Sequence, residues 1–216
     1  MASYLAVETS SRAASVYWHD DQKAINLAID GGLLSSDLTA VLHNFLESNQ
    51  RSLDDLSHIL VSKGPGNYTS LRLGLSFVQG LALTRPIKIT TFYSHDVVAD
   101  TWRSQNKIEN GDVAVYIDAR GGQVLGCRYR IENFKLKRLE EVVLSDPAEL
   151  LDNWPKSLTL VGSACLPYAK LIEEKGFHSF SNCDADAASL LKLKEQGFGE
   201  DCLLQQLIPF YIRSPV

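Results

Sequence analysis

The chain has 216 residues, of which 45% are hydrophobic and 22% are charged, and its net charge is −5. This composition is typical of a globular protein with a sizeable core, and the acidic balance disfavours direct nucleic-acid binding by this chain alone. The amino terminus lacks a signal-peptide pattern, and no apolar run approaches the roughly 18 residues that span a bilayer. Four scattered cysteines without a CxxC pair indicate reduced thiols, so we expect a cytoplasmic protein without a membrane segment.

The first part of the chain predicts a β-hairpin followed by alternating helices and strands. Residues 4–18 read as a strand, a polar turn and a second strand. The elements that follow are, in order, a loop at 30–36, a helix at 36–49, a short helix starting at Ser52, a strand at 58–62 and a helix from about Thr69 to Leu83.

The later part of the chain continues the alternation. A strand at 86–92 precedes a helix that Ser94 caps, and residues 112–130 again predict strand, turn and strand. The elements beyond these are a strand at 135–144, a helix opened by 145–147, a strand within 157–164, helices at 167–175 and 184–195, and an extended end from Leu207. This pattern favours an α/β or mixed α+β class.

Two similar segments suggest an internal repeat. YLAVETSS at 4–11 and AVYIDARG at 114–121 are both apolar strands that end in a carboxylate, Glu8 or Asp118. We therefore predict two related halves, residues 1 to about 105 and about 106 to 216, although hairpins with an acidic turn residue are also common by themselves. In sugar-kinase and actin-like folds such a carboxylate holds Mg²⁺ through water or acts as a base, whereas the simpler interpretation is a solvated turn residue.

The segment SKGPGNYTSLRLG at 62–74 is a candidate phosphate loop. Gly64 and Gly66 leave backbone N–H groups unshielded, and Asn67 or Thr69 can cap the helix that follows. The segment matches neither GxxxxGK[ST] nor GxGxxG, so the phosphate signal is weak. The candidate nucleotide site, which we expect to be degenerate, comprises Glu8, Ser10, Gly64, Gly66, Asn67, Thr69 and Asp118.

The helix after this loop has two apolar stripes. One contains Leu71, Leu75 and Val78, and the other runs through 73, 77 and 81. Two stripes predict burial on two sides, one against the sheet and one against a partner inside the chain or on another subunit.

These segments together resemble the TsaB (YeaZ) family. The resemblance is carried by YLAVETSS, the helix at 36–49, GPGNYTSLRLGLSFVQGLAL at 64–83 and IDARGGQVLGCRY at 117–129, and more loosely by LVGSA at 160–164 and PFYIR at 209–213. It implies a duplicated actin-like ATPase fold of the sugar kinase, Hsp70 and ribonuclease H-like kind, with mixed sheets flanked by helices. Glu8 stands where the family usually has Asp, and Asn67, Tyr68 and Ser70 also depart from its usual pattern. These departures weaken any nucleotide or metal role.

The resemblance also implies a function. TsaB-like proteins are regarded as non-catalytic partners of the transferase TsaD, which installs threonylcarbamoyl on the adenosine beside the anticodon of tRNAs that read codons beginning with A. We therefore expect a TsaD-like partner, a TsaE-like ATPase joining that pair, a homodimer in isolation, tRNA contact only through the complex, and no cofactor. The expected partner interface comprises Leu38, Val41, Leu42, Phe45, Leu71, Leu75 and Val78.

The spacing of the five histidines bears on whether the chain is catalytic. A TsaD-like metal site needs two histidines one helical turn apart, and none of His19, His43, His58, His95 and His178 form such a pair. This pattern disfavours a metal site and M22-type glycopeptidase activity. The alternative that stays open is an active actin-like ATPase or kinase that uses Glu8, Asp118 and the 64–69 loop, with Arg12, Arg72 or Arg120 contacting phosphate.

Overall fold

The structure is a computed structural model that describes residues 2–11, 13–29, 31–83, 85–181 and 183–211, with the backbone alone for 31–37. The chain divides into two compact units. The first unit comprises the residues up to Val97 together with the chain from Ala185 onward, and the second comprises Val98–Asp184. The predicted division near residue 105 stays a prediction, but the carboxyl-terminal segment folds with the first unit.

Each unit contains one mixed β-sheet. The strands are β1 Tyr4–Glu8, β2 Ala14–His19, β3 Ala24–Ile29, β4 His58–Ser62, β5 Lys88–Phe92, β6 Gly111–Asp118, β7 Val124–Glu132, β8 Lys135–Arg138, β9 Val143–Ser145, β10 Thr159–Val161, β11 His178–Phe180 and β12 Glu200–Cys202. The first sheet has the order β12-β5-β4-β1-β2-β3, and the second has the order β11-β10-β6-β7-β8, with β9 also paired to β7.

The two sheets repeat one topology. In the first, β1, β2 and β3 are antiparallel neighbours, and β4 and β5 extend the sheet in parallel on the other side of β1. In the second, β6, β7 and β8 are antiparallel, and β10 and β11 extend the sheet in parallel on the other side of β6. Both central hairpins are those found in the sequence repeat, so the predicted duplicated fold is confirmed.

Helices cover the sheets because the central strands are apolar on both faces. The helices are α1 Gly31–Ser48, α2 Tyr68–Leu83, α3 Ser94–Gln105, α4 Pro147–Asn153, α5 Ala169–Glu174 and α6 Ala187–Glu195, with 3₁₀ turns at Leu53–Asp55 and Leu204–Gln206. In the first unit, residues of α1 and α2 share a core with Leu5 and Val7 of β1, and α6 packs against β1, β2 and β4. Among the helices of the described residues, none is both long enough and apolar enough to cross a bilayer.

Several predicted boundaries are wrong. The loop expected at 30–36 is helical from Gly31 onward, since helix propensity is a weak local preference that the rest of α1 overrides. The strand expected at 135–144 is two strands, β8 and β9, which pair with different parts of β7. The short edge strands β11 and β12 and the whole of β3 were not predicted.

Candidate functional site

Glu8 ends the central strand β1 and is completely buried. Its Oε1 accepts a hydrogen bond of 2.6 Å from the backbone N–H of Ser10. Burial raises the pKa of the Glu8 carboxyl, and the hydroxyl and N–H of Ser10 and the hydroxyl of Ser62 offset that rise only in part. The neutral form of Glu8 is therefore favoured more than it would be at a solvent-exposed strand end.

The glycine loop packs directly against the hairpin turn after β1. The backbone N–H of Asn67 donates to the carbonyl of Ser10 at 2.8 Å. A Cβ atom on Gly66 would collide with that same carbonyl, so only glycine allows this close approach. The carbonyl of Gly64 accepts from the N–H of Ser94 at 2.9 Å. The N–H of Asn67 and the carbonyl of Gly64 thus bond within the chain, and they join the loop to the turn after β1 and to the start of the helix after β5.

Asn67 caps α2, as one of the two predicted caps. Its Oδ1 accepts from the N–H of Ser70 at 3.2 Å, and its carbonyl accepts from the N–H of Leu71 at 2.9 Å. Thr69, the other candidate, lies inside the exposed first turn of the helix. One of the free N–H groups at the start of this helix is therefore already bonded to an amide side chain.

Asp118 holds the corresponding position in the second unit. It ends β6, and its Oδ1 accepts from the N–H of Arg120 at 2.9 Å, which repeats the Glu8–Ser10 contact with the same two-residue spacing. Unlike Glu8, Asp118 is half-buried, and its own N–H donates to the hydroxyl of Ser163 at 3.1 Å. The structure therefore brings Glu8, Ser10 and the glycine loop together in one unit and places Asp118 in the equivalent turn of the other.

The expected interface residues belong mainly to the core of the first unit. Leu42 and Leu75 are each only 2% exposed, and both lie in one cluster with strands β1, β2 and β4. Of the seven expected residues, Val41 is half-buried and the others are buried: Leu38, Leu42, Phe45, Leu71, Leu75 and Val78. The expectation that Leu42 and Leu75 need cover from another molecule is wrong, because the sheet of this chain covers them.

The second apolar stripe of α2 is also partly buried inside the chain. Phe77 and Leu81 are half-buried against the same core, whereas Leu73 and Leu83 are exposed. A Cβ atom on Gly80 would meet no atom within 4 Å, so this turn of the helix faces open space. The unpartnered part of α2 is therefore narrower than the sequence predicted and lies on a different side from Leu75.

Sequence reasoning missed an aromatic cluster at the start of α2. The Arg72 guanidinium lies 4.4 Å from the ring centre of Tyr68, and its Nε donates to the hydroxyl of Tyr211 at 3.0 Å. The rings of Tyr68 and Tyr211 are stacked with centres 5.3 Å apart. Arg72 and Tyr211 are 139 positions apart, so no local pattern could reveal the contact. Arg72 is thus bound to aromatic rings of its own chain, and Arg12 lies outside the described residues.

Titratable groups are dispersed over the rest of the structure. In the part of the chain that the structure describes, no three His, Cys, Asp or Glu side chains are grouped as a metal site would require. His43 is exposed on α1 beside Glu47, whereas His95 is buried in the first turn of α3. All four cysteines are free thiols, and burial raises the pKa of both Cys165 and Cys183 to about 12.

One family model and several curated proteins match this chain in sequence. The family model described as TsaD: tRNA N6-adenosine threonylcarbamoyltransferase matches residues 33–199. The tRNA threonylcarbamoyladenosine biosynthesis protein TsaB of Bacillus subtilis (strain 168) is 30% identical over 143 residues, which is 63% of this chain and 61% of that protein. The protein of the same name from Escherichia coli (strain K12) is 27% identical over 128 residues, which is 58% of this chain and 54% of that protein. The chain thus spans less than two thirds of these two relatives.

Solved structures share the fold over nearly the whole chain. A Pseudomonas aeruginosa protein described as uncharacterized with similarity to peptidase YEAZ superimposes with a TM-score of 0.83, covering 99% of this chain and 100% of the other at 20% identity. YeaZ from Pseudomonas aeruginosa gives a TM-score of 0.82, covering 97% and 100% of the two chains at 20% identity. At this identity the likeness establishes the common fold alone.

Proposed function

The chain belongs to the family described as TsaD: tRNA N6-adenosine threonylcarbamoyltransferase and, with its relatives, to the TsaB/YeaZ group, and from this we propose that it serves tRNA threonylcarbamoyladenosine biosynthesis as a non-catalytic subunit. Its role is to bind and support a TsaD-like transferase, with a TsaE-like ATPase joining the pair. Contact with tRNA is made only through that complex, which agrees with the acidic net charge of −5.

The observation that carries the non-catalytic part of the proposal is the closed glycine loop. A phosphate cradle needs backbone N–H groups that point outward, whereas the N–H of Asn67 is bound to the carbonyl of Ser10. The carboxyl of Glu8 is bound to the N–H of Ser10 and is fully buried. In this proposal the loop is a structural joint between the first hairpin and α2, and it leaves the chemistry to the partner.

The surface proposed for the partner is the exposed side of α2 in its last two turns. Leu83 is 72% exposed, and the open space at Gly80 allows another helix to approach closely. Leu73 lies one turn from the half-buried Phe77 and adds to the apolar area. The same surface serves a homodimer when the chain is alone, so the two assemblies compete for it.

Reconstitution tests the proposed function. Threonylcarbamoylation of unmodified tRNA is measured with the organism's TsaD-like and TsaE-like proteins and threonylcarbamoyl-adenylate, with and without this chain. We expect modification to depend on this chain while the chain alone neither hydrolyses ATP nor modifies tRNA. Equal modification in its absence contradicts the proposal, and saturable Mg–ATP turnover by the isolated chain that Asp118→Asn abolishes supports the ATPase alternative.

A matched pair of variants tests the proposed surface. Leu83→Glu places a carboxylate on the α2 surface, and Leu166→Glu places one at a comparably exposed leucine, 68% exposed, in the second unit. We expect Leu83→Glu to weaken association with the TsaD-like partner at least tenfold in calorimetric titration, because an unpaired carboxylate is costly to bury in an apolar contact. Leu166→Glu should bind as the unchanged protein does; equal affinity for both variants would exclude this surface.

A further inference from the structure

A cavity of about 470 Å³ lies at the outer edge of the first sheet, where the chain after β12 crosses β5. Its lining includes Lys63, Thr91, Glu200, Cys202, Phe210 and Tyr211, all from the first unit. The volume is in the range of small-molecule sites, which combine apolar walls with a few convergent polar groups.

Lys63 supplies a largely desolvated positive charge. Its side chain is only 15% exposed, and its Nζ lies 4.2 Å from the ring centre of Tyr93. The ammonium also contacts Oε2 of Glu200 at 2.6 Å, but that glutamate is 63% exposed and stands on the edge strand β12. An ion pair with so exposed a partner is weak, since water and salt compete for the carboxylate. Another anion can therefore replace Glu200 at Lys63.

The second carboxylate at the cavity, Asp201, has partners of its own. Oδ1 of Asp201 accepts from the hydroxyl of Thr90 at 2.9 Å. The ammonium of Lys194 lies 3.2 Å from the same hydroxyl, so a positive charge also stands near Asp201. The charges at this edge therefore form two groups, Lys63 with Glu200 and Lys194 with Asp201. In the first group, a bound anion can take the place of Glu200.

The aromatic walls are already fixed in position. The backbone N–H of Phe210 donates to the carbonyl of Lys63 at 2.6 Å, and its ring meets Tyr93 edge-on with centres 5.1 Å apart. Tyr211 is held by the hydrogen bond from Arg72 and by its stack on Tyr68. A ligand that enters therefore loses little free energy in ordering the walls.

We propose that this cavity binds a small organic anion with an aromatic body. The anionic group pairs with the Lys63 ammonium in place of Glu200, and the aromatic body lies against Phe210 and Tyr211. Such a charge-assisted contact in a partly dry site is stronger than a neutral hydrogen bond, so the negative charge is the feature that the site selects.

The test uses naphthalene-2-carboxylate as the probe and naphthalene-2-carboxamide as its uncharged counterpart. We expect calorimetry to give one site per chain and an affinity for the acid about tenfold higher than for the amide. Lys63→Met should abolish that preference. Glu200→Gln should raise the affinity for the acid severalfold and leave the affinity for the amide nearly unchanged, because it frees Lys63. Lys23→Met, which removes an exposed lysine with the same change in net charge, should leave both affinities unchanged.

Four results would overturn the proposal. They are the absence of binding to the unchanged protein, equal affinity for acid and amide, retained preference in Lys63→Met, and weaker binding of the acid by Glu200→Gln. Circular dichroism establishes that each variant is folded. If Lys63→Met does not fold, the direction of the Glu200→Gln effect decides the matter, since Glu200 is exposed and its replacement leaves the core unchanged.

Discussion

Glu8 shows how one buried carboxyl group links stability to pH. Burial raises its pKa above the ordinary value of 4.5. The native protein therefore binds a proton at Glu8 more tightly than the unfolded chain does. By linkage, the contribution of Glu8 to the free energy of unfolding falls as pH rises from about 4.5 through its native pKa, and it has no pH dependence below that range.

We predict that Glu8→Gln stabilises the protein at neutral pH. Glutamine retains an oxygen for the N–H of Ser10 and removes the charge that burial disfavours. The melting temperature of the variant should exceed that of the unchanged protein at pH 7.5, and the difference should vanish near pH 4. A lower melting temperature at pH 7.5 would mean that the ionised carboxylate is stabilised in the native state.

At the scale of the element, α2 combines close packing on one face with open space on another. Gly74 faces Thr9, whose side chain would collide with an added Cβ atom, whereas Gly80 faces no atom within 4 Å. Thr9 is buried and β-branched, so it has little freedom to move aside. Close packing against Thr9 thus requires glycine at position 74, whereas nothing in the chain requires it at position 80.

Replacing each glycine with alanine should separate these effects. We predict that Gly74→Ala lowers the free energy of unfolding by about 1–3 kcal/mol, since it overpacks the contact with Thr9. Gly80→Ala should raise it by about 0.5–1 kcal/mol, because alanine favours the helix and meets no obstacle. Urea unfolding measures both, and equal effects of the two substitutions would contradict the packing described for α2.

The apolar stripes of α2 differ in the same way. We predict that Leu75→Glu destabilises the fold by several kcal/mol, because it buries an unpaired carboxylate in the core. Leu73→Glu, at an exposed position on the same helix, should leave the melting temperature nearly unchanged. If Leu75→Glu melted normally, the core assignment of this stripe would be wrong.

Elements with their own pattern were predictable from sequence, and elements that depend on distant partners were not. β1, β2, β6 and β7 have apolar strands and polar turns, and α2 has a clear helical period with Asn67 as its cap. By contrast, β12 has three residues and pairs with β5 across more than 100 positions. At the candidate site, the sequence indicated which residues lie near the turn, but only the packing revealed that Glu8 is buried and that the loop is closed.

The whole molecule is a duplication in which one unit interrupts the other. After the second unit, α6 and β12 return to the first. Leu190 and Leu193 of α6 are fully buried, and the N–H of Ala187 donates to the hydroxyl of Ser15 in β2 at 2.8 Å. The segment from Ala185 onward is therefore a structural part of the first unit.

We predict that a chain ending at Asp184 loses the cooperative unfolding of the first unit. Without α6 one face of the first sheet is uncovered, and the buried area lost exceeds what a marginally stable unit tolerates. Urea unfolding followed by fluorescence should show a shallow transition for the first unit, whereas Lys192→Ala, at an exposed position on α6, should unfold as the full chain does. A sharp unchanged transition in the shortened chain would contradict this role.

The interrupted arrangement has a consequence for synthesis on the ribosome. Every strand of the second unit precedes residue 184 in the chain, so this unit can emerge and fold before the last elements of the first unit have emerged. The first unit was translated earlier but cannot mature until α6 and β12 emerge. Its nascent sheet must wait, with apolar residues uncovered, for the interval that a ribosome needs to add about a hundred residues, which is roughly 5 to 20 seconds at ordinary elongation rates.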